Sequence, residues 1–116
     1  GFATNKEANF MAFKSAVVVT APDANPKKHR ASIKTPMYEL TVVAVERGNL
    51  DQAVGVCQEL ARNEGIQFFI LCPGFSHQGV AKIANVLGEE VAVSVARGDI
   101  RSTMVADRLL KEAGWI

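Results

Sequence analysis

Two short runs constrain this chain more than any other feature. FKSAVVVT (13–20) and IQFFILC (66–72) present apolar residues to both sides of an extended strand, because side chains alternate sides along it. Strands of that kind belong in the interior of a parallel sheet covered on both faces. Two further β-rich runs, YELTVVAVE (38–46) and EVAVSVA (90–96), bring the set to four. The last alternates Val91, Val93 and Val95 against Ala92, Ser94 and Ala96, a small face that a helix can approach closely.

Helical signals fill the intervals. Asn49 stands as an N-cap with Gln52 three residues on, and Asp51 suits the positive end of the dipole. Leu50, Ala53, Val54, Cys57, Leu60 and Ala61 then form one apolar stripe. A second helix starts at Ser76 and buries Val80, Ile83, Ala84 and Leu87. A third is capped by Asp99 and buries Val105, Ala106, Leu109 and Ala113. Gly65, Gly88 and Gly114 follow these helices where left-handed C-terminal caps fall.

The first connection, APDANPKKHRASIKTPM (21–37), reads differently. Asn25-Pro26 fits a cap followed by proline at the first helical position, and Pro36 stops a short helix. An ordered loop or an extra strand is the alternative. The chain also echoes itself: Val45-Glu46-Arg47-Gly48-Asn49-Leu50 and Val95-Ala96-Arg97-Gly98-Asp99-Ile100 share V-x-R-G-[N/D]-[L/I]. Each marks a strand end, a glycine turn and a capping residue, one turn chemistry used twice.

This alternation predicts an α/β fold: a small four-stranded, mainly parallel sheet of order 2-1-3-4 with right-handed crossovers and helices on both faces. It corresponds to half of a flavodoxin-like or Rossmann-like sheet. Ligands favour the crevice at the C-terminal strand ends where such a sheet reverses direction. The loops flanking that crevice are residues 21–37 and 73–79.

The totals narrow the function classes. At 116 residues the chain fits one domain, taken as 11–116, with residues 1–10 (GFATNKEANF) an N-terminal extension or cloning remnant ahead of Met11. With 13 basic against 12 acidic residues, no global field favours nucleic acid or an anionic membrane. No apolar run reaches membrane-spanning length. The two cysteines lack CxxC spacing, which fits a reducing cytoplasm. A small sheet exposes edges that self-association covers, so a homo-oligomer is expected.

The candidate chemistry gathers at ILCPGFSHQG (70–79). Gly74 and Gly79 allow close backbone approach, and amides near Phe75, Ser76, His77 and Gln78 point out of a helix N-terminus, a setting that favours a small anionic ligand. The basic segment Lys27, Lys28, His29 and Arg30 is expected across the crevice, with Arg97 on the same edge. The pattern is neither G-x-G-x-x-G nor a P-loop, and an ordinary capped helix start explains it as well. A small enzyme using His77, His29 or Cys72 at the crevice or at a subunit interface is the second reading, with Cys72 as a thiol nucleophile beside a helix N-terminus and His77. Cys72 also ends an apolar strand, where cysteine behaves as a small hydrophobe. A non-catalytic assembly protein is the third reading. Cys57 falls on the core face of its helix as inert packing. His29, His77 and Cys72 have no metal-site spacing, so no metal is expected, and no cofactor is implied. Glu89-Glu90 reads as a solvated turn and Trp115 as a clasp or subunit contact.

The stretches PKKHRASIKTPMYELTVVAV (26–45) and LCPGFSHQGVAKI (71–83) resemble a family of small bacterial α/β proteins of unknown function, about one hundred residues long. The likeness rests on His-Arg…Thr-Pro…Glu-Leu and on the Leu-Cys-x-Gly-Phe turn. In the family it resembles, the position of Pro73 is more often glycine, and the C-terminal part more often reads as a phenylalanine- and glycine-containing tail than as RSTMVADRLLKEAGWI. The resemblance implies a compact α/β domain and supplies no activity.

Overall fold

The computed structural model describes residues 11–116, so the expectation for residues 1–10 lies outside the described residues. One mixed sheet contains β1 (Phe13–Ala21), β2 (Arg30–Lys34), β3 (Tyr38–Glu46), β4 (Phe68–Leu71) and β5 (Ala92–Val95), in the spatial order β2-β3-β1-β4-β5. Helices α1 (Leu50–Glu64), α2 (His77–Leu87) and α3 (Ile100–Glu112) follow β3, β4 and β5. β1 pairs in parallel with β3 and β4, and β4 with β5.

The four-stranded expectation is corrected at one edge, where β2 runs antiparallel to β3 and makes a fifth strand. The expected helix over residues 25–36 is therefore absent. Its start signal acts for one turn only: the Lys28 and His29 amides donate to the Asn25 carbonyl at 2.9 and 2.8 Å. That turn offers Lys27, Lys28 and His29 and no apolar face, so nothing propagates it. Arg30-Ala31-Ser32-Ile33-Lys34 alternates polar and apolar residues instead, the period of a strand. A turn closed by the Thr35 amide on the Tyr38 carbonyl at 2.8 Å leads into β3.

The two faces of the sheet differ sharply. On one, Ala16, Val18, Val43, Val45, Phe69 and Leu71 are buried together with Ala53, Cys57 and Leu60 of α1 and Ile83 of α2. Arg30 points to this side from β2 and forms an ion pair with Glu64 of α1 at 2.9 Å. On the other face the register aligns Val17 with Val42 and Ile70, and Leu40 with Ile33. These residues are half-buried or exposed, and Phe13 stacks against both Tyr38 and Phe68 there. The expected helices on both faces are corrected accordingly: α1 and α2 share one face.

The three N-caps act as the sequence specifies, whereas Gly88, expected as a left-handed cap, ends α2 at φ 82° and ψ −174°, outside the left-handed helical region. Asn49 Oδ1 accepts from the Gln52 amide at 3.1 Å, Ser76 Oγ from the Gly79 amide at 3.1 Å, and Asp99 Oδ1 from the Ser102 amide at 2.7 Å. Gln52 completes its box one step further out, accepting from the Glu46 amide at 2.7 Å and so tying α1 to the end of β3. Gly65 closes α1 in the left-handed conformation that glycine adopts without strain. The expected burial of α3 does not occur: Val105, Ala106, Leu109 and Ala113 are all exposed, Leu109 by 51%.

Candidate functional site

β1 and β3 end side by side, with Thr20 level with Val45. Beyond them the chain turns twice into a helix, at Arg47–Asn49 and at Pro73–Phe75. Each turn is closed by an amide reaching back across it: Asn49 to the Glu46 carbonyl at 3.1 Å, and Phe75 to the Cys72 carbonyl at 3.2 Å. Gly48, with φ +83°, makes the first turn possible. These connections aim the N-termini of α1 and α2 at one cavity of about 290 Å³ above the strand ends.

The cavity lining mixes Thr20, Glu46, Asn49 and Ser76 with Val45, Leu50, Ala53 and Phe75. Two glycines keep its walls close. A Cβ on Gly74 would meet Thr20 Oγ1 at 2.7 Å, and one on Gly79 would meet Leu50 Cδ1 at 3.3 Å. Glu46 is held in place by Asn49 Nδ2, which donates to its Oε1 at 3.0 Å. Among the described residues no lysine or arginine lines the cavity. Favourable charge for an anion comes only from the two helix dipoles, and Glu46 opposes it.

The candidate residues separate into groups. Gly74, Phe75, Ser76 and Gly79 line the cavity, while His77 and Gln78 are exposed in the first turn of α2 beyond it. Lys27 and Arg30 line a different groove of about 480 Å³, on the flank of α1 beside Asp51, Gln52 and Glu59. The basic segment therefore does not face Ser76. Arg30 is engaged with Glu64, and His29 Nδ1 accepts from the Asn25 amide at 2.8 Å. Arg97 is exposed and lines neither cavity. The displacement has one cause: β2 draws residues 25–34 along the outer edge of β3, away from the β1/β4 junction where a loop would have left them.

The cysteines also part company. Cys57 is fully buried, and burial pushes its thiol up to about 12, so it remains a neutral packing group. Cys72 is half-buried, and its polar neighbour is Thr20 Oγ1 at 3.8 Å; no hydrogen bond joins it to His77 among the described residues. No cluster of three metal-ligating side chains occurs among the described residues, nor any helix long and apolar enough to cross a membrane. Sequence reasoning missed Thr20, Glu46, Asn49 and Leu50 as site residues. The capping pattern at Asn49 was the available signal, since it marks a second helix starting at the same sheet edge.

Residues 13–111 match the family described as a family of unknown function, DUF6506. The chain belongs to that family. The match includes β1 through nearly all of α3, so residues 101–111 of the segment expected to depart from the family lie within its pattern. Comparison with curated proteins and with solved structures gives no match.

Proposed function

We propose that this DUF6506 protein binds a small anionic metabolite at the C-terminal edge of β1 and β3. The convergence of two helix N-termini on one cavity carries this reading. First-turn amides have no acceptor within their own helix and favour a negative group. The absence of cationic side chains among the described lining residues and the presence of Glu46 favour a single carboxylate over a multiply charged phosphate. Thr20 and Glu46 add partners for a hydroxyl or amino group, so a short hydroxy acid or amino acid suits the lining best. The volume, at the small end of the range for ligand pockets, points the same way.

Thermal-shift and calorimetric titration against short hydroxy acids, amino acids, nucleotides and inorganic phosphate tests the proposal. A binding acid should lose about tenfold in affinity in Thr20→Val, the scale of one hydrogen bond to a charged group; Glu46→Gln should weaken an amino acid by a similar factor and leave a hydroxy acid bound at least as tightly. Arg30→Ala and Lys27→Ala should leave affinity unchanged. Affinity lost only in the latter pair would move the site to the flank of α1, and no stabilisation by any compound would remove the binding reading.

A further inference from the structure

The strongest unassigned features are two apolar surfaces that each lack a partner among the described residues, and both belong to the same chain. One is the uncovered sheet face bearing Val17, Leu40, Val42 and Ile70, with Ile33 of β2 exposed by 59% at its edge. The other is α3. Its helical spacing places Val105, Ala106, Leu109 and Ala113 on one side, all of them exposed. An amphipathic helix and a sheet face of this kind normally bury each other.

The connection between β5 and α3 indicates where each finds its partner. The connections into α1 and α2 contain a hydrogen-bonded turn, whereas residues 96–99 contain none among the described residues. The Ala96 amide pairs with the Leu71 carbonyl at 2.8 Å, as the Cys72 amide pairs with the Val18 carbonyl at 3.0 Å before α2, so the difference lies in the missing turn. Gly98 lacks the positive φ that its counterpart Gly48 uses to turn. The same motif that folds back at 45–50 runs straight at 95–100 and carries α3 away from its own sheet. A hinge whose sequence can turn but is extended is the arrangement from which identical elements are exchanged between copies.

We propose that two copies of this chain form a two-fold dimer in which each α3 lies on the open sheet face of the other copy. A helix of this length is about 20 Å long, so two helix-on-sheet contacts together bury on the order of 1,600 Å², the size of a stable interface. Each chain supplies one helix and one sheet face, so the assembly closes at two.

Light scattering on the full chain should give twice the 12.5 kDa protomer mass across a wide concentration range. Leu109→Asp and Val42→Asp should each be monomeric alone, with far-UV spectra showing the protomer folded; Ile33→Asp replaces Val42→Asp if the latter unfolds. Mixed in equal amounts, the helix-face and sheet-face variants should form a heterodimer, because one intact helix then meets one intact sheet face. A wild-type monomer would overturn the proposal, as would a Leu109→Asp dimer or a mixture that stays monomeric. The first result corresponds to α3 closing on its own sheet, and the other two to a dimer made through other surfaces.

Discussion

Residues 45–50 and 95–100 carry the same turn motif and do opposite things. The first folds back through Gly48, docks α1 on the sheet and builds one wall of the cavity. The second stays extended through Gly98 and leaves α3 undocked. What separates them is the surface within reach: Ala53, Cys57 and Leu60 of α1 descend onto Val18, Val43 and Val45, and that burial holds the turn closed. A capping motif therefore starts a helix, but tertiary burial decides where the helix goes.

The most direct way to break the comparison is to truncate one leucine on each helix. Leu60→Ala, at a fully buried position, should cost about 2–5 kcal/mol in chemical denaturation. Leu109→Ala should cost less than about 0.5 kcal/mol in a dissociated protomer, its side chain being exposed there. Equal costs in the protomer would mean that α3 is docked like α1.

Alkaline titration probes the docked side alone. Cys57 is raised from 9.0 to about 12 in the folded chain, so the folded state holds its proton where the unfolded state has lost it. Stability contributed by the neutral thiol is complete below pH 9 and is lost as pH rises toward 12, by at most about 1.4 kcal/mol per pH unit. Cys57→Ala should flatten that limb of the stability curve. A limb unchanged by the substitution would contradict the burial argument.

The two glycines sharpen the comparison further. Gly48→Ala places a side chain at positive φ and should cost about 1–2 kcal/mol. At Gly98 a new Cβ would sit 3.7 Å from Ser102 Cβ, an ordinary contact, so Gly98→Ala should change stability by less than about 0.5 kcal/mol. A large loss at Gly98 would show that residue 98 turns as residue 48 does.

The caps supply the smallest contrast. The Ser102 amide N–H, followed by the Ser102 side chain, holds the Asp99 carboxyl below its ordinary 3.8. Its contribution to α3 is present above that value and is lost as pH falls through the lowered one. Asn49 does not titrate, so acid should fray the first turn of α3 before that of α1. Amide exchange at Ser102 and Gln52 follows both, and parallel fraying would remove the distinction.

Sequence legibility follows from how local each feature is. The caps at Asn49, Ser76 and Asp99 were readable because each depends on residues within one helical turn. The central position of β1 and β4 was readable because both are apolar on two faces. β2 was harder, since Asn25-Pro26 forms a real turn whose failure to propagate depends on the absence of an apolar face. Apolar residues on the second face of β1 and β4 signal a covering layer, but what supplies that layer depends on contacts distant in sequence. The site was legible at Gly74, Ser76 and Gly79 and not at Thr20 or Glu46, which reach it only through the β1–β3 register.

Hydrogen exchange at the Asn49 and Asp99 amides tests most directly whether one motif is closed and its repeat open. Asn49 donates across its turn to Glu46, whereas Asp99 has no backbone acceptor among the described residues. The account predicts a protected Asn49 amide and an unprotected Asp99 amide in the same sample, with ligand binding slowing only the former. Matching protection at both positions would contradict it, because the second motif would then be folded back and α3 docked on its own sheet.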